Sequence, residues 1–159
     1  MLLYHGSNLC VRFPMLVKSD RKLDFGSGFY VTTNFDQARR WAQLTAKRRA
    51  SGVATVTIYN YDEALGMRFK VLRFDRPSEE WLRFVSANRK GISSGSEYDI
   101  VIGPVANDRT MPVISLYFAG IYDEKEAIKR LLPQKLNDQY AFKTESSLRA
   151  LNFREEVRL

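Results

Sequence analysis

Leu23-Asp24-Phe25-Gly26-Ser27-Gly28-Phe29-Tyr30-Val31-Thr32-Thr33-Asn34-Phe35-Asp36-Gln37-Ala38-Arg39-Arg40-Trp41-Ala42-Gln43 carries three signals in succession. Gly26 and Gly28 flank a serine, a turn composition. Phe29 to Thr33 is aromatic and β-branched, as a strand requires. Asn34 then offers a helix cap, and Ala38, Trp41 and Ala42 recur at the spacing of one buried helix face. A tyrosine in a strand just after a Gly-x-Gly turn, with a helix packed behind it, reads as a site.

Upstream, Leu2 to His5 forms a short strand that Gly6-Ser7-Asn8 breaks. Val11 to Val17 contains Pro14 and reads as loop or edge strand, and Ser19 to Lys22 as a solvent-facing connection. Downstream, the helix runs from Phe35 to about Ala50 and ends at Ser51-Gly52. Val53 to Tyr61 alternates as a strand, and Met67 to Phe74 reads as another. Ser78 caps a helix with Trp81, Phe84 and Val85 inward, closed by Asn88 to Gly91. Ser93 to Ser96 is a Ser/Gly segment, and Tyr98 to Val105 an apolar strand. Pro112 to Tyr122 fits a strand or a helix equally. Asp123 to Leu132 is helical, Gln139 to Thr144 a strand, and Leu148, Leu151 and Phe153 mark a last helical piece. Short strands scattered among helices predict a single α+β domain over residues 1–159, not a regularly alternating α/β chain.

Composition narrows the chemistry. Hydrophobic residues at 45% and aromatics at 13% supply enough apolar area for a packed core. No apolar run reaches 18 residues, so no membrane partner is expected. The N-terminus lacks the pattern of a signal peptide, which makes the cytoplasm the expected location. Cys10 is the one cysteine and His5 the one histidine. An internal disulfide and a two-histidine metal site are excluded, and no metal is expected. There is no P-loop, Gly26-Ser27-Gly28 lacks the third glycine of a dinucleotide fingerprint, and no nucleophile elbow supports a triad on His5. The net charge of +7 favours polyanionic partners. Its one dense cluster, Lys47-Arg48-Arg49, is also what a helix C-terminus attracts.

Taken singly, His5, Tyr30, Trp41 and Gln139 each have an ordinary structural explanation: a strand-end polar residue, two packing aromatics and a polar strand start. Together they form a pattern. Tyr4-His5-Gly6-Ser7, then Phe25-Gly26-Ser27-Gly28-Phe29-Tyr30-Val31-Thr32, resembles the NAD-binding core of the ADP-ribosyltransferase fold of the diphtheria-toxin and poly(ADP-ribose) polymerase type. Asp138-Gln139-Tyr140-Ala141-Phe142 resembles that family's Asn-Glu-Tyr-hydrophobic strand, with Gln139 in the glutamate position. Nearly the whole chain is similar to a bacterial family of uncharacterised proteins with this fold. These carry like Leu-Asp-Phe-Gly-x-Gly-Phe-Tyr, Gly-Pro-Val-Ala-Asn-Asp and Asp-Gln-Tyr-x-Phe-x-Thr segments.

The resemblance implies a split mixed β-sheet core with flanking helices. It also implies NAD as donor substrate, bound by His5, Gly6, Ser7, Gly28, Tyr30 and Trp41. His5 would bond a ribose hydroxyl, Gly6 the nicotinamide carboxamide through its backbone, and Tyr30 and Trp41 the two ring faces. His5, Tyr30 and Gln139 would form the catalytic set. The implied activity is mono-ADP-ribosylation of a protein or nucleic acid by a bacterial toxin, with a cognate antitoxin as partner. The other readings are an inactive NAD or ADP-ribose binding module and an NAD glycohydrolase. Two departures stand out. Gln139 is neutral, so any charge would come from Asp108, Asp138 or Glu145, and Gln139→Glu would raise the rate if this side chain faces the developing charge. Ala38 replaces a serine that polymerase-type members use on the carboxamide. Asn107-Asp108 reads equally as an Asx turn or as a polar loop facing the site.

Overall fold

The computed structural model describes residues 1–92, 95–107 and 109–159. The chain runs β1 (Leu2–Ser7), β2 (Phe29–Val31), α1 (Phe35–Arg49), β3 (Thr55–Tyr61), α2 (Glu63–Gly66), β4 (Val71–Arg73), α3 (Glu79–Arg89), β5 (Ile100–Pro104), α4 (Met111–Phe118), α5 (Glu124–Leu131), β6 (Asp138–Phe142), α6 (Glu145–Leu148) and β7 (Leu151–Arg158). The class is α+β.

Two sheets form. One has the order β1-β3-β7 and is antiparallel; the other has the order β2-β6-β5-β4, with β4 parallel to β5. Among the described residues a single bridge, Tyr4 to Thr32, joins them. Strand alternation sorts the side chains into three cores. Leu3, Phe29, Val31, Tyr59, Ile100, Ile102, Tyr140 and Phe142 meet in the core shared by both sheets. On the other face of the second sheet, Val101 and Ala141 pack under α3, α4 and α5, through Trp81, Val85, Ile114 and Leu131. On the corresponding face of the first sheet, α1 covers Val56 and Ile58 with Ala38 and Ala42. Trp81 is fully buried, and its indole N–H donates to the Pro104 carbonyl at 3.0 Å, as a buried indole requires.

Helix α1 starts where the sequence places it. The Asn34 side chain accepts the Gln37 N–H at 2.8 Å, filling one of the orphan donors of the first turn. The helix ends at Ala50, at φ 50° in the left-handed region. Its packing on β1 is close: a Cβ on Gly6 would lie 2.0 Å from the Ala38 carbonyl oxygen. Gly6 is therefore a glycine because a helix backbone rests on it.

Three expectations change and one open reading is decided. Met67 to Phe74 holds only the three residues of β4 as strand, because Asp62 caps α2 (Leu65 N–H to Oδ1, 2.9 Å) and the turn runs on to Phe69. Pro112 to Tyr122 resolves as α4, with Pro112 in its first turn where a missing N–H is harmless. The last piece is mostly strand: Leu148 ends α6, whereas Leu151 and Phe153 belong to β7, paired with β3. Their helix-like spacing straddles an element boundary, and Arg154, Glu155, Glu156 and Arg158 suit an edge strand. Trp41 is half-buried, and Gln37 is the residue that joins Ala38 and Ala42 inside. Ser93 and Ser94 of the Ser/Gly segment, and Asp108, lie outside the described residues.

Candidate functional site

The two sheets part at a seam between β1 and β2. Tyr4 and Thr32 exchange both backbone hydrogen bonds (2.9 and 3.0 Å), so the next narrow pair of an antiparallel ladder would be Gly6 with Tyr30. That pair does not form; the bridge is isolated. Instead the His5 ring takes the Tyr30 carbonyl, Nδ1 to O at 2.7 Å. A carbonyl only accepts, so Nδ1 carries the proton and Nε2 is left as an acceptor. Burial drives the His5 pKa down to about 4; the Tyr30 carbonyl opposes the shift and the Arg49 guanidinium adds to it. The ring is neutral at physiological pH and stacks on Phe29, with centroids 4.3 Å apart. Alternation turns the N–H and C=O of the buried Gly6 away from β3 and toward the β2 side of the seam.

Tyr30 faces the other way from His5. Its ring packs on the α3–α5 side, and its hydroxyl donates to the Gly26 carbonyl at 2.6 Å while accepting the Phe25 N–H at 3.1 Å. Burial, and then the Asp24 carboxylate, hold the phenol well above its ordinary range. It is a fixed, neutral ring that closes its own turn. Lys143, the residue after β6, fastens the same turn, its ammonium donating to the carbonyls of Phe25 (2.5 Å) and Ser27 (3.0 Å).

Gln139 lies in β6 on the Tyr30 face, two positions before Ala141, which pairs with Tyr30. It is buried, and its amide N–H donates to Asp24 Oδ2 at 3.0 Å. Asp24 is also buried. Its Oδ2 accepts the Ala106 N–H at 2.9 Å, and its Oδ1 is gripped by Arg89, Nη2 at 2.5 Å and Nε at 2.6 Å. The carboxylate beside Gln139 therefore comes from the Gly-x-Gly stretch itself. The sequence signal was an acid between Leu23 and Phe25, an apolar setting in which a charge needs partners.

The family assignment follows from the sequence as a whole. The family model described as "Protein of unknown function (DUF3990)" matches residues 1–153. The chain belongs to the DUF3990 family. No curated protein and no solved structure is significantly similar to it.

In this DUF3990 chain the remaining expected residues fall into place as follows. Asp138 is taken up by the β2–α1 corner: its carboxylate accepts Thr33 N–H (3.0 Å) and the hydroxyls of Thr33 (2.8 Å) and Thr32 (3.3 Å). Asn137 bridges Asn34 and Gln37 there at 3.1 Å each. Glu145 accepts the Leu16 N–H at 3.1 Å at an exposed position. Neither acid is bonded to Gln139. Ser7 is buried at the end of β1, beside Asn8. Gly28 sits against the Phe142 carbonyl, 2.9 Å from where its Cβ would be, which explains that glycine by β2–β6 packing. Trp41 lies on α1, one turn beyond the buried Gln37. Asn107 makes the Asx turn, accepting Arg109 N–H at 2.9 Å.

Two cavities border these elements. One of about 330 Å³ is lined by Arg21, Lys22, Gly26, Ser27, Asn88 and Lys143, among others. The other, about 210 Å³, lies at the ends of β4 and β5 and includes Arg73, Gly103 and Asp138. Neither is lined by His5, Gly6, Tyr30, Trp41 or Gln139. Among the described residues no group of three or more His, Cys, Asp or Glu could hold a metal ion, and no helix is long and apolar enough to cross a membrane.

Proposed function

We propose that this DUF3990 protein is an NAD-dependent mono-ADP-ribosyltransferase acting on a macromolecule. The observation that carries the reading is the open seam between β1 and β2. It offers a backbone donor and acceptor at Gly6, the complement of a carboxamide, next to a neutral imidazole whose free nitrogen accepts from a hydroxyl. Tyr30 is fixed at the same seam, and Gln139 shares its face of the sheet. With one Gln139 N–H donated to Asp24, the amide oxygen is the group that can accept from a ribose hydroxyl. Cleavage of the nicotinamide–ribose bond develops positive charge on the sugar, as in glycoside hydrolysis. In this reading Asp24, joined to Gln139 by a hydrogen bond, supplies the nearest carboxylate among the described residues, and its field favours that charge. Ala38 contributes no hydroxyl to the carboxamide, so the site relies on Gly6 alone for it. The bacterial toxin setting and the antitoxin partner belong to the same proposal.

A second reading, an NAD-binding module without turnover, is favoured by one observation. Arg89 already grips Asp24 from the other side, which offsets the charge that catalysis would use.

Labelled NAD incubated with the protein and a cell lysate tests both. Label transferred to macromolecules, and lost in His5→Ala and Tyr30→Ala variants that still fold, supports the transferase. Nicotinamide release without label identifies a glycohydrolase, and binding by calorimetry without turnover identifies the module. No binding at about millimolar NAD (about −4 kcal/mol of affinity) refutes all three.

A further inference from the structure

The net charge of this chain is concentrated. Residues 18–22 and helix α1 together hold eight of the 25 cationic side chains and two of the 18 acidic ones, which is six of the seven net positive charges. The rest of the molecule is nearly neutral. Lys18, Arg21, Lys22, Lys47, Arg48 and Arg49 are all exposed, and none forms an ion pair among the described residues. Elsewhere, some exposed arginines find carboxylates, as Arg83 finds Glu124 at 2.6 Å and Arg130 finds Glu126 at 2.7 Å, while Arg68, Arg76, Lys125 and Lys129 are exposed without an ion pair among the described residues. The density of cations, with two acids among ten charged side chains, sets this surface apart from an ordinary solvated face.

The two segments converge. Arg49 is anchored at the end of β1, Nη1 to Asn8 Oδ1 at 3.0 Å, and Asn8 is held in turn by Ser51 at 3.1 Å. The antiparallel Tyr4–Thr32 bridge sets the end of β1, where Arg49 is held, on the side of the Gly26-Ser27 turn before β2, and that turn lines one cavity with Arg21 and Lys22; burial, then the charges of Arg21 and Arg49, hold Arg48 below the ordinary arginine range, in keeping with that approach. From Arg21 and Lys22 the basic surface continues into the 330 Å³ cavity, where Lys143 adds another cation. Leu44 is 61% exposed and lies one helical turn from Arg40, Lys47 and Arg48. Trp41, half-buried, is one turn from Leu44. An apolar and aromatic strip thus runs between the cations of α1.

We propose that residues 18–22 and the C-terminal half of α1 form a docking surface for the phosphate backbone of a single-stranded nucleic acid. Guanidiniums that repel one another are stabilised together by an anion with regularly spaced charges, and each presents a fork that matches phosphate oxygens. Apolar and aromatic groups between the cations give unpaired bases a place to stack, as strand-binding grooves do. An acidic protein matches the charge but has no use for that strip. Neither the surface nor its test involves NAD, so its failure is separate from failure of the transferase reading.

The test is fluorescence anisotropy of the full chain with a labelled single-stranded RNA or DNA of about 20 nucleotides, titrated over salt. The expected result is micromolar binding whose logarithm falls linearly with the logarithm of salt. In Arg21→Glu/Arg48→Glu the affinity falls at least tenfold, and the salt slope shrinks by about 1.4, the single-strand value for two phosphate contacts. Lys125→Glu/Lys129→Glu on α5 changes the net charge equally and leaves both nearly unaltered. Circular dichroism confirms that each variant folds. Equal losses in the two variants overturn the proposal, because net charge rather than this surface would then bind. So does polyglutamate binding as tightly as the nucleic acid, or no binding at low salt.

Discussion

Replacing Gln139 by glutamate puts a second carboxyl about 3 Å from Asp24, where an amide now donates across 3.0 Å. Both side chains are buried, Gln139 at 4% and Asp24 at 5% exposure. Two ionised carboxylates at that distance repel by about 5 kcal/mol at an effective dielectric constant near 20. A less costly course is open. A protonated glutamate in this place can donate to Asp24 just as the amide does, so the variant folds with the new carboxyl neutral. The cost is then that of keeping a group of unfolded pKa about 4.3 protonated at pH 7, about 1.4 kcal/mol per pH unit over about 2.7 units, or about 3.7 kcal/mol.

The sign follows from the raised pKa in the folded state. Below about pH 4 the unfolded carboxyl is protonated as well and the deficit against the parent vanishes. As pH rises from about 4 to 7 the deficit grows at about 1.4 kcal/mol per unit. Urea denaturation of parent and variant across that range measures it, and at pH 7 the melting temperature should fall by roughly 7–15 °C for a chain of this size. Adding Asp24→Asn to Gln139→Glu removes the like-charge pair, so the double mutant should show a favourable coupling of at least about 1 kcal/mol. A Gln139→Glu variant within about 1 kcal/mol of the parent at pH 7, or with a deficit that ignores pH, refutes the Asp24–Gln139 contact and its burial. An expectation from the sequence changes accordingly. A carboxyl that is protonated at neutral pH adds no charge, so Gln139→Glu should not accelerate transfer.

Three further outcomes follow from the geometry. His5 is the one histidine, so a single imidazole signal in proton NMR should titrate near pH 4 and stay neutral above about pH 6; a midpoint near the ordinary value of about 6.5 refutes its burial against Tyr30. Since the folded pKa lies below the unfolded one, that group's contribution to stability is complete above about pH 6.5 and is lost as pH falls toward about 4, by roughly 3 kcal/mol in all, and His5→Gln should abolish this component. Gly6→Ala drives a methyl into the Ala38 carbonyl and should cost about 3 kcal/mol by denaturant unfolding, at the upper end of overpacking penalties. Asn34→Ala removes the α1 cap and its bond to Asn137 and should cost about 1–2 kcal/mol, with little change in m-value.

Much of the fold is legible in the sequence because its signals are local. Asn34 and Ser78 cap helices as their positions predict, and the alternation of Thr55 to Tyr61 needs nothing beyond the chain itself. The failures share a cause. Leu148, Leu151 and Phe153 are spaced like one helix face, yet Leu151 and Phe153 pair with Tyr61 and Tyr59 of β3, partners far away in sequence, and tertiary pairing outweighs local periodicity. At the site, types and positions are readable but partners are not. Gln139 is visible as a neutral residue at a strand start. The sequence offers Asp108, Asp138 and Glu145 as its carboxylate, whereas the fold supplies Asp24, 115 residues away. Proximity of that kind is set by how β6 lies beside the turn before β2, and one sequence does not encode it in any local pattern.

Gly6 and His5 gain most from the structure, because it exchanges their reasons. By sequence Gly6 is a glycine so that a ligand can approach; in the fold its missing side chain makes room for α1. By sequence His5 is a ligand contact; in the fold it also keeps the seam apart. Without its ring on the Tyr30 carbonyl, that oxygen would be free to accept the Gly6 N–H and carry the β1–β2 ladder one pair further. The imidazole thus replaces a backbone donor with a side-chain one and leaves the Gly6 amide facing the opening. An aliphatic residue at position 5 would let the strands zip together and bury the groups the proposed site depends on. A glutamine, long enough to reach the carbonyl with an N–H, should hold the seam open while losing the ring acceptor. His5→Gln and His5→Leu therefore separate the two roles. If both abolish NAD binding equally while amide exchange shows the Gly6 and Tyr30 N–H groups no more protected in the leucine variant, His5 does not hold the seam open.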